Sequence, residues 1–385
     1  MTSPLGNNRR NNRRVLVAGA KFGELYLNAF MRAQDGLELA GLLANGSARS
    51  QQLAHAFGIP LYTSPEQVPG DTDIVCVVVR SSVAGGAGTA LAETFLQRGM
   101  HVVQEHPLHP DDVMRLQALA VRQGLAYWVN SFYAHTPAGL SWIECARRVR
   151  RVLDGAAPCF AHAMTSRQLL YSSLDLLSQA YGATGAELDQ AEIAALDDDD
   201  PAFQTLRLRL ARSNAALRLQ TYVDPLDPDL HSLAMHHMAV GWPSGYLSLQ
   251  ASYGPVLWSP ALHDPRHRTA PDSMYRRVAA ADAGTGDAWF AQPTALTLHA
   301  AAPDWQSALE VDGPAGVAHV LQALRRHLDG GATPSGFGTA YQSALARLWQ
   351  RTLRCAGAAA ERELAPPRAI AAHELLGARR EETAA

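Results

Sequence analysis

Two short clusters near the start of the chain combine residue types able to hold a phosphorylated ligand. Gly19-Ala20-Lys21-Phe22-Gly23 stands between an apolar run at 15–18 and a helical pattern that begins at Glu24. A strand, a glycine turn and a helix start present free backbone N–H groups and a positive dipole end, which suit a pyrophosphate. The spacing is Gly-x-x-x-Gly, one loop residue shorter than the common dinucleotide turn, and alone it would serve equally as a tight packing turn. After a second apolar run, Ala44-Asn45-Gly46-Ser47-Ala48-Arg49-Ser50 contains no acid. A ribose diol calls for Asp or Glu at that place, whereas a 2′-phosphate calls for cationic and hydroxyl donors. Arg49 can fork onto such a phosphate while Ser47 and Ser50 donate beside it. The pattern therefore selects NADPH over NADH, although an N-cap serine and a surface arginine would look the same.

Three more clusters follow apolar runs at 74–79, 101–104 and 126–129: Arg80-Ser81-Ser82, Glu105-His106-Pro107 and Asn130-Ser131-Phe132-Tyr133. If those runs are parallel strands, all three lie on the rim beyond the carboxyl ends, where ligands of open αβ sheets bind. Arg80, Glu105 and His106 then join the residues 19–23 as candidate cofactor contacts.

The elements that must position these residues are legible as a rhythm. Strands at 15–18, 37–43, 74–79, 101–104 and 126–129 alternate with helices at 24–32, 50–57, 87–98 and 110–123, the pattern of a doubly wound parallel sheet. The continuous apolar run at 74–79 is that of a strand buried on both faces. After Tyr133 the texture changes to a helix at 137–153 and β-like runs at 160–166, 206–210, 217–223, 236–240 and 246–253, which predict an α+β domain with a mostly antiparallel sheet. Residues 258–287, dense in Pro, His, Arg and Asp, read as a long loop or lid. Helices at 317–328 and 339–356 close the fold. The division is a disordered tail at 1–14, a nucleotide-binding domain at 15–133, a substrate and dimerisation domain at 134–365, and a polar tail at 366–385.

Composition bounds the function classes. With 385 residues, 47% hydrophobic and 18% charged, the chain can bury two cores and is neither disordered nor fibrous. A net charge of −3 gives no basic footprint for nucleic acid. Cys76, Cys145, Cys159 and Cys355 are far apart and form no C-x-x-C pair, which argues against zinc knuckles and disulfides and fits a reducing cytoplasm. No stretch approaches the roughly 18 apolar residues of a membrane helix. The charge run at 197–200 reads as a solvated loop. In Met235-His236-His237-Met238 a strand would turn the two histidines to opposite faces, and no metal is expected. His135, His236 and His237 serve either the substrate side or the core and interface.

Glu105-His106-Pro107 resembles the Glu-Lys-Pro of the sugar oxidoreductase family that includes glucose–fructose oxidoreductase and inositol dehydrogenase, where the resemblance implies a lysine acting on the substrate hydroxyl. This chain departs there with His106, and its one lysine, Lys21, belongs to the phosphate turn. Gly19-Ala20-Lys21-Phe22-Gly23-Glu24, Gly46-Ser47-Ala48-Arg49-Ser50, the stretch from Gln104 to Pro110, and Asn130-Ser131-Phe132-Tyr133 together resemble the thiazolinyl imine reductases of yersiniabactin- and pyochelin-type siderophore assembly. Arg167-Gln168-Leu169-Leu170-Tyr171-Ser172-Ser173-Leu174-Asp175 is similar as well, and the likeness thins after about residue 260. The resemblance implies NADPH reduction of a thiazoline C=N to a thiazolidine, on a thioester carried by a nonribosomal peptide synthetase domain, by a homodimer joined through the second domain's sheet. It also implies Tyr133 and His106 as candidate general acids. Tyr133 is read as the direct donor and His106 as the group that positions substrate or relays the proton. A packing tyrosine and a carboxamide-orienting histidine are the plainer readings. Other functions on the same fold are a sugar or biliverdin-like reductase, or a non-catalytic nucleotide-sensing or carrier-binding protein.

Overall fold

The computed structural model describes residues 12–196, 199–210, 213–226, 232–263 and 292–376. Its first layer is a six-stranded sheet of β1 (Arg13–Ala18), β2 (Leu37–Leu43), β3 (Leu61–Tyr62), β4 (Ile74–Val77), β5 (His101–Glu105) and β6 (Tyr127–Asn130). The order is β3-β2-β1-β4-β5-β6 and every pairing is parallel. Val15, Val17, Ile74, Val75, Val102 and Val103 are fully buried, because helices α1 (Gly23–Asn28), α2 (Ala48–Ala56), α3 (Gly88–Gln97) and α4 (Pro110–Arg122) cover the sheet. The doubly wound sheet is as expected, with three local differences. β3 adds a strand of two residues, too short to carry a periodic signal. α1 stops at Asn28 rather than Arg32: Met31 is 72% exposed, so the continuation has no face to bury. Arg13 and Arg14, expected in the tail, open β1, where Asp73 accepts from the Arg14 N–H at 2.7 Å and Asp71 pairs with its guanidinium.

The second layer begins with α5 (Pro137–Val152), capped by the Thr136 hydroxyl and started by a proline at its first position. It continues through β7 (Phe160–Thr165), α6 (Leu170–Tyr181), α7 (Gly185–Asp189), β8 (Glu192–Ala195), β9 (Phe203–Leu210), β10 (Ser213–Gln220), β11 (Tyr222–Val223), β12 (His236–Trp242), β13 (Gly245–Leu249), β14 (Val256–Pro260) and β15 (Leu296–His299). Eight of these strands form one sheet, ordered β15-β14-β13-β12-β7-β10-β9-β8, antiparallel except for the β7–β10 pair. Inward residues alternate along β9 and β10, while α5 packs on β13, β14 and β15 and α6 on β7 and β12. α6 is buried along nearly its whole length. Its mixture of Leu, Ser, Tyr and Asp shows no polar face, which is why periodicity does not reveal it. Trp258 opposes Leu247 in β14, so the stretch expected as a loop from 258 begins with three strand residues, and 264–287 lies outside the described residues. Of the charge run, 197–198 lies outside them too, while Asp200 accepts from the N–H groups of Ala202 and Phe203 and pairs with Arg218, a turn-forming role.

The chain then returns to the first domain. α8 (Trp305–Ser307), α9 (Gly313–Leu328) and α10 (Thr339–Ala356) precede β16 (Ala360–Glu361), which pairs with β11, and α11 (Ala372–Leu376), a short helix within the segment expected as a tail. α9 packs on α1, and α10 packs on α4. β6 is an edge strand, and Gln342 of α10 closes that edge: its side-chain oxygen accepts from Val129 N–H at 3.1 Å and its amide donates to Val129 C=O at 2.8 Å.

Candidate active site

The cofactor cradle is built where β1 ends. Gly19 has φ +118°, and a Cβ there would lie 2.5 Å from the Val78 carbonyl oxygen, so only glycine lets the chain turn this close to β4. Gly23 is tight as well, its Cβ position 3.3 Å from Val17. Between them Ala20, Lys21 and Phe22 are at least partly open to solvent, and the Phe22 ring meets Phe132 edge-on at 5.2 Å. Beyond β2, Ser47 caps α2. Arg49 reaches across to the glycine turn, its Nε donating to Ala20 C=O at 3.1 Å and its guanidinium pairing with Glu24. Arg80 stands exposed past β4. Ser50, expected as a phosphate donor, is fully buried and donates to Ser47 C=O at 2.8 Å, so its hydroxyl belongs to the turn. The glycine cradle, the open turn and an arginine bound to that turn's carbonyl fit a dinucleotide whose ribose end lies near Arg49.

At the end of β5 the expected cluster is present with its roles redistributed. His106 stacks on Tyr171 at 5.2 Å, and its Nδ1 lies 3.0 Å from both the Asn130 carbonyl and a Glu105 oxygen. Both are acceptors, so Nδ1 carries the hydrogen and Nε2 is left as the acceptor nitrogen of the ring. Glu105, expected at the cofactor, has its other oxygen engaged by the Tyr26 hydroxyl and approached by the Asn130 amide at 3.4 Å. Asn130 also donates to Tyr26 Oη at 2.6 Å and accepts from Phe132 N–H at 2.9 Å, holding Phe132 at φ +61°. Burial, with Glu105 beside it, pushes the Tyr26 hydroxyl well up. Tyr26 lies on α1, and nothing in its sequence context marks it. Only the burial of that helix face reveals it.

The second domain supplies the other wall. Tyr133 is boxed by Phe132, by His236 at 4.5 Å between ring centres and by Tyr253 at 5.9 Å, and burial pushes its hydroxyl pKa well up. His236, from β12, is fixed at both nitrogens: Nε2 lies 2.9 Å from Ser172 Oγ and Nδ1 2.8 Å from Ser252 Oγ. Burial, aided by nearby His106, lowers its pKa to about 3, so the ring is neutral. The Tyr171 hydroxyl is buried and has no hydrogen-bond partner among the described residues. Asp175, also buried, accepts from Ser131, from Tyr341 at 2.6 Å and from Gln179 at 2.9 Å, locking the two domains together below the rim; burial raises its carboxyl pKa. A cavity of about 650 Å³ opens beside this wall, lined by Met164, Met235, His236, Tyr253 and Trp305 among others.

The other flagged histidines separate. His237 lines the cavity, while His135 is buried against Phe337 at 4.8 Å in the seam between domains. Among the described residues no group of three or more His, Cys, Asp or Glu is placed to hold a metal, and no helix is long and apolar enough to cross a membrane.

Comparison with known proteins agrees with this geometry. Residues 13–131 match the family described as oxidoreductase family, NAD-binding Rossmann fold. Residues 156–259 match the C-terminal domain described as thiazolinyl imine reductase, Irp3-like. No curated protein matches the chain. Among solved structures it is similar to an oxidoreductase from Agrobacterium radiobacter in complex with NAD+, L-tartaric acid and magnesium, at 12% identity, with 90% of this chain and 96% of that chain covered and a TM-score of 0.63. It is also similar to the UDP-N-acetylglucosamine 3-dehydrogenase of Acidithiobacillus ferrooxidans (14% identity, 89% and 97% covered, TM-score 0.58). A third likeness is to a mutant 3-ketoreductase from Actinomadura kijaniata in complex with TDP-benzene and NADP (16% identity, 88% and 96% covered, TM-score 0.58). At these identities the likeness is one of fold. The chain is an NAD(P)-dependent oxidoreductase: residues 13–131 match the NAD-binding Rossmann-fold oxidoreductase family, and residues 156–259 match the Irp3-like C-terminal domain.

Proposed function

We propose that the protein uses NADPH to reduce the C=N bond of a thiazoline to a thiazolidine, on a thioester carried by a nonribosomal peptide synthetase domain during siderophore assembly. One observation carries the reading. The segment that matches the thiazolinyl imine reductase domain delivers Tyr171, Ser172, His236 and Tyr253 to a rim that bears His106 instead of a lysine. A lysine-based alcohol oxidation has no lysine to use, because Lys21 lies in the glycine turn. The cofactor supplies hydride when bound. Gly19, Ala20, Lys21, Phe22 and Gly23 would hold its pyrophosphate and Ser47 and Arg49 its 2′-phosphate, with Arg80 and His106 toward the nicotinamide end. The protein's part in the chemistry is to deliver a proton to the ring nitrogen, and the hydroxyl and imidazole groups around His106 and Tyr133 form the source.

A homodimer in the cytoplasm, joined through the second sheet, completes the proposal. The uncovered face of that sheet, with Phe160 and Tyr246 exposed, is the surface it would use. The test is incubation of the protein and NADPH with a synthetic aryl-thiazoline thioester, following loss of the reduced nicotinamide absorbance. Oxidation of the cofactor is expected with the thiazoline. Turnover of free sugars in its place refutes the assignment.

A further inference from the structure

We propose that the cavity of about 650 Å³ in the second domain is a specificity subsite for a flat, uncharged aromatic group of the substrate, a part that does not itself react. The inference rests on the imine reading above for the substrate as a whole and on separate geometry for this part of it. The cavity lies within the range of about 300–1,000 Å³ that takes a small organic ligand. Its wall comes from the second domain alone: neither the glycine turn nor His106 is part of it, so the reacting bond belongs at the rim and not inside the cavity. One ring separates the two places. His236 lines the cavity and lies 4.5 Å from the Tyr133 ring, and its Nε2 meets Ser172, the neighbour of the Tyr171 that stacks on His106. A substrate whose C=N bond is held at the rim therefore has the cavity beside it for its remaining bulk.

The lining selects the class of ligand. Among the residues that line the cavity none is Asp, Glu, Lys or Arg, and burial keeps His236 neutral. A carboxylate, a phosphate or an ammonium group would lose hydration there without gaining a partner of opposite charge. Met164, Met235, Tyr253 and Trp305 instead offer thioethers and rings, whose contacts favour an aromatic group over an aliphatic one of the same size. The wall is also held in place, as selection requires. His236 is fixed at both nitrogens by Ser172 and Ser252. Gly254 has φ +104°, and a Cβ there would collide with the Ala301 carbonyl oxygen, so glycine lets the segment before Trp305 close on the turn between β13 and β14. Ala308 opens a π-helical turn, Ala308–Asp312, a rare distortion frequently found at functional sites. Trp305, 62% exposed and edge-on to Tyr253 at 6.4 Å, marks where the cavity meets solvent.

The experiment compares phenyl- and methyl-thiazoline thioesters as substrates with NADPH, in the full chain and in two variants that fill the cavity, Ala234→Trp at a half-buried place on its wall and Ala302→Trp at its exposed lip. In the parent, kcat/KM should favour the phenyl substrate roughly 10- to 150-fold, the scale of burying one aromatic ring, with the difference mainly in KM. Each variant should lower that preference about tenfold or more. NADPH affinity equal to the parent's shows that the fold is intact, and Ala302→Trp carries the test if Ala234→Trp does not fold. Calorimetry without turnover gives a second readout: phenylthiazole should bind the parent, with methylthiazole and carboxyphenylthiazole about tenfold or more weaker, and filling the cavity should remove the phenylthiazole signal. A parent that takes both thioesters alike, or that prefers the carboxyphenyl compound, overturns the subsite. An equal rise in KM for both thioesters in the variants overturns it too, since the thioester arm would then occupy the cavity. If the parent reduces no thiazoline yet binds phenylthiazole and loses it on filling, the imine reading fails and the subsite stands. Neither turnover nor binding refutes both.

Discussion

Replacing Glu105 by glutamine isolates the clamp on His106 without changing volume. In the native site one carboxylate oxygen faces His106 Nδ1 at 3.0 Å and the other accepts from the Tyr26 hydroxyl, with the Asn130 amide 3.4 Å away. All of these partners present hydrogens. Glutamine offers one carbonyl oxygen and one NH2, so either orientation sets a donor against a donor. The side chain is only 11% exposed, and water cannot readily repair the mismatch. Losing one charge-assisted hydrogen bond in such a setting costs about 1.5–3 kcal/mol. If His106 orientation enters the transition state, that cost becomes a fall in kcat/KM of roughly 10- to 150-fold. Steady-state kinetics with the thioester substrate would read it, with NADPH affinity measured separately and expected to change little. Rates within twofold of the parent would refute the clamp. A drop confined to NADPH affinity would instead place Glu105 at the cofactor.

Further tests address the cradle, the cofactor preference and the pH response. Gly19→Ala puts a methyl 2.5 Å from the Val78 carbonyl at a positive φ, and should abolish dinucleotide binding in a calorimetric titration; full affinity would show that the turn is not the cradle. Arg49→Ala should weaken NADPH binding about tenfold or more and leave NADH nearly unaffected, and equal losses would show that Arg49 does not read the 2′-phosphate. Burial holds His101 at about 4, with Arg13 adding to the effect, and holds His135 and His236 at about 3. The unfolded chain, with values near about 6.5, binds protons in this window that the folded chain refuses. Stability is therefore complete above about pH 6.5 and falls as the pH drops toward 4, by about 1.4 kcal/mol per pH unit for each histidine. Denaturant midpoints that stay flat between pH 6.5 and 4.5 would contradict this.

Most of the first domain was legible because its signals are local. Apolar runs of Val and Ile, glycine turns and capping residues such as Ser47 need no partner to be recognised. The rim followed from strand ends, so His106, Tyr133, Arg49 and the glycine turn were placed from their neighbours in sequence. Residues whose roles depend on distant segments were not legible. Tyr26 meets Glu105 across the domain, and Asp175 joins α6 to β6 and α10. His236 of β12 is held at both ring nitrogens only when Ser172 and Ser252 close on it. Ser50 shows the converse: its residue type suited a phosphate, but helix capping claimed its hydroxyl. α6 escaped because a helix buried on every side has no period to detect, and Tyr253 because it lies just past the end of β13.

The Gln342 amide that closes the β6 edge bears on how this architecture can be divided. The nucleotide-binding unit is not complete at residue 133, since its last strand is finished by a side chain more than two hundred residues downstream. Cutting the chain there would leave a bare strand edge beside an uncovered α4 surface, the template that neighbouring molecules pair with when proteins aggregate. A chimera that exchanges second domains between enzymes of this fold must therefore carry α10 with the recipient's first domain, as two discontinuous segments. The same stitch means that the lower part of the cleft depends on a helix made more than two hundred residues after β6, so during synthesis the site gains its final shape only when α10 docks.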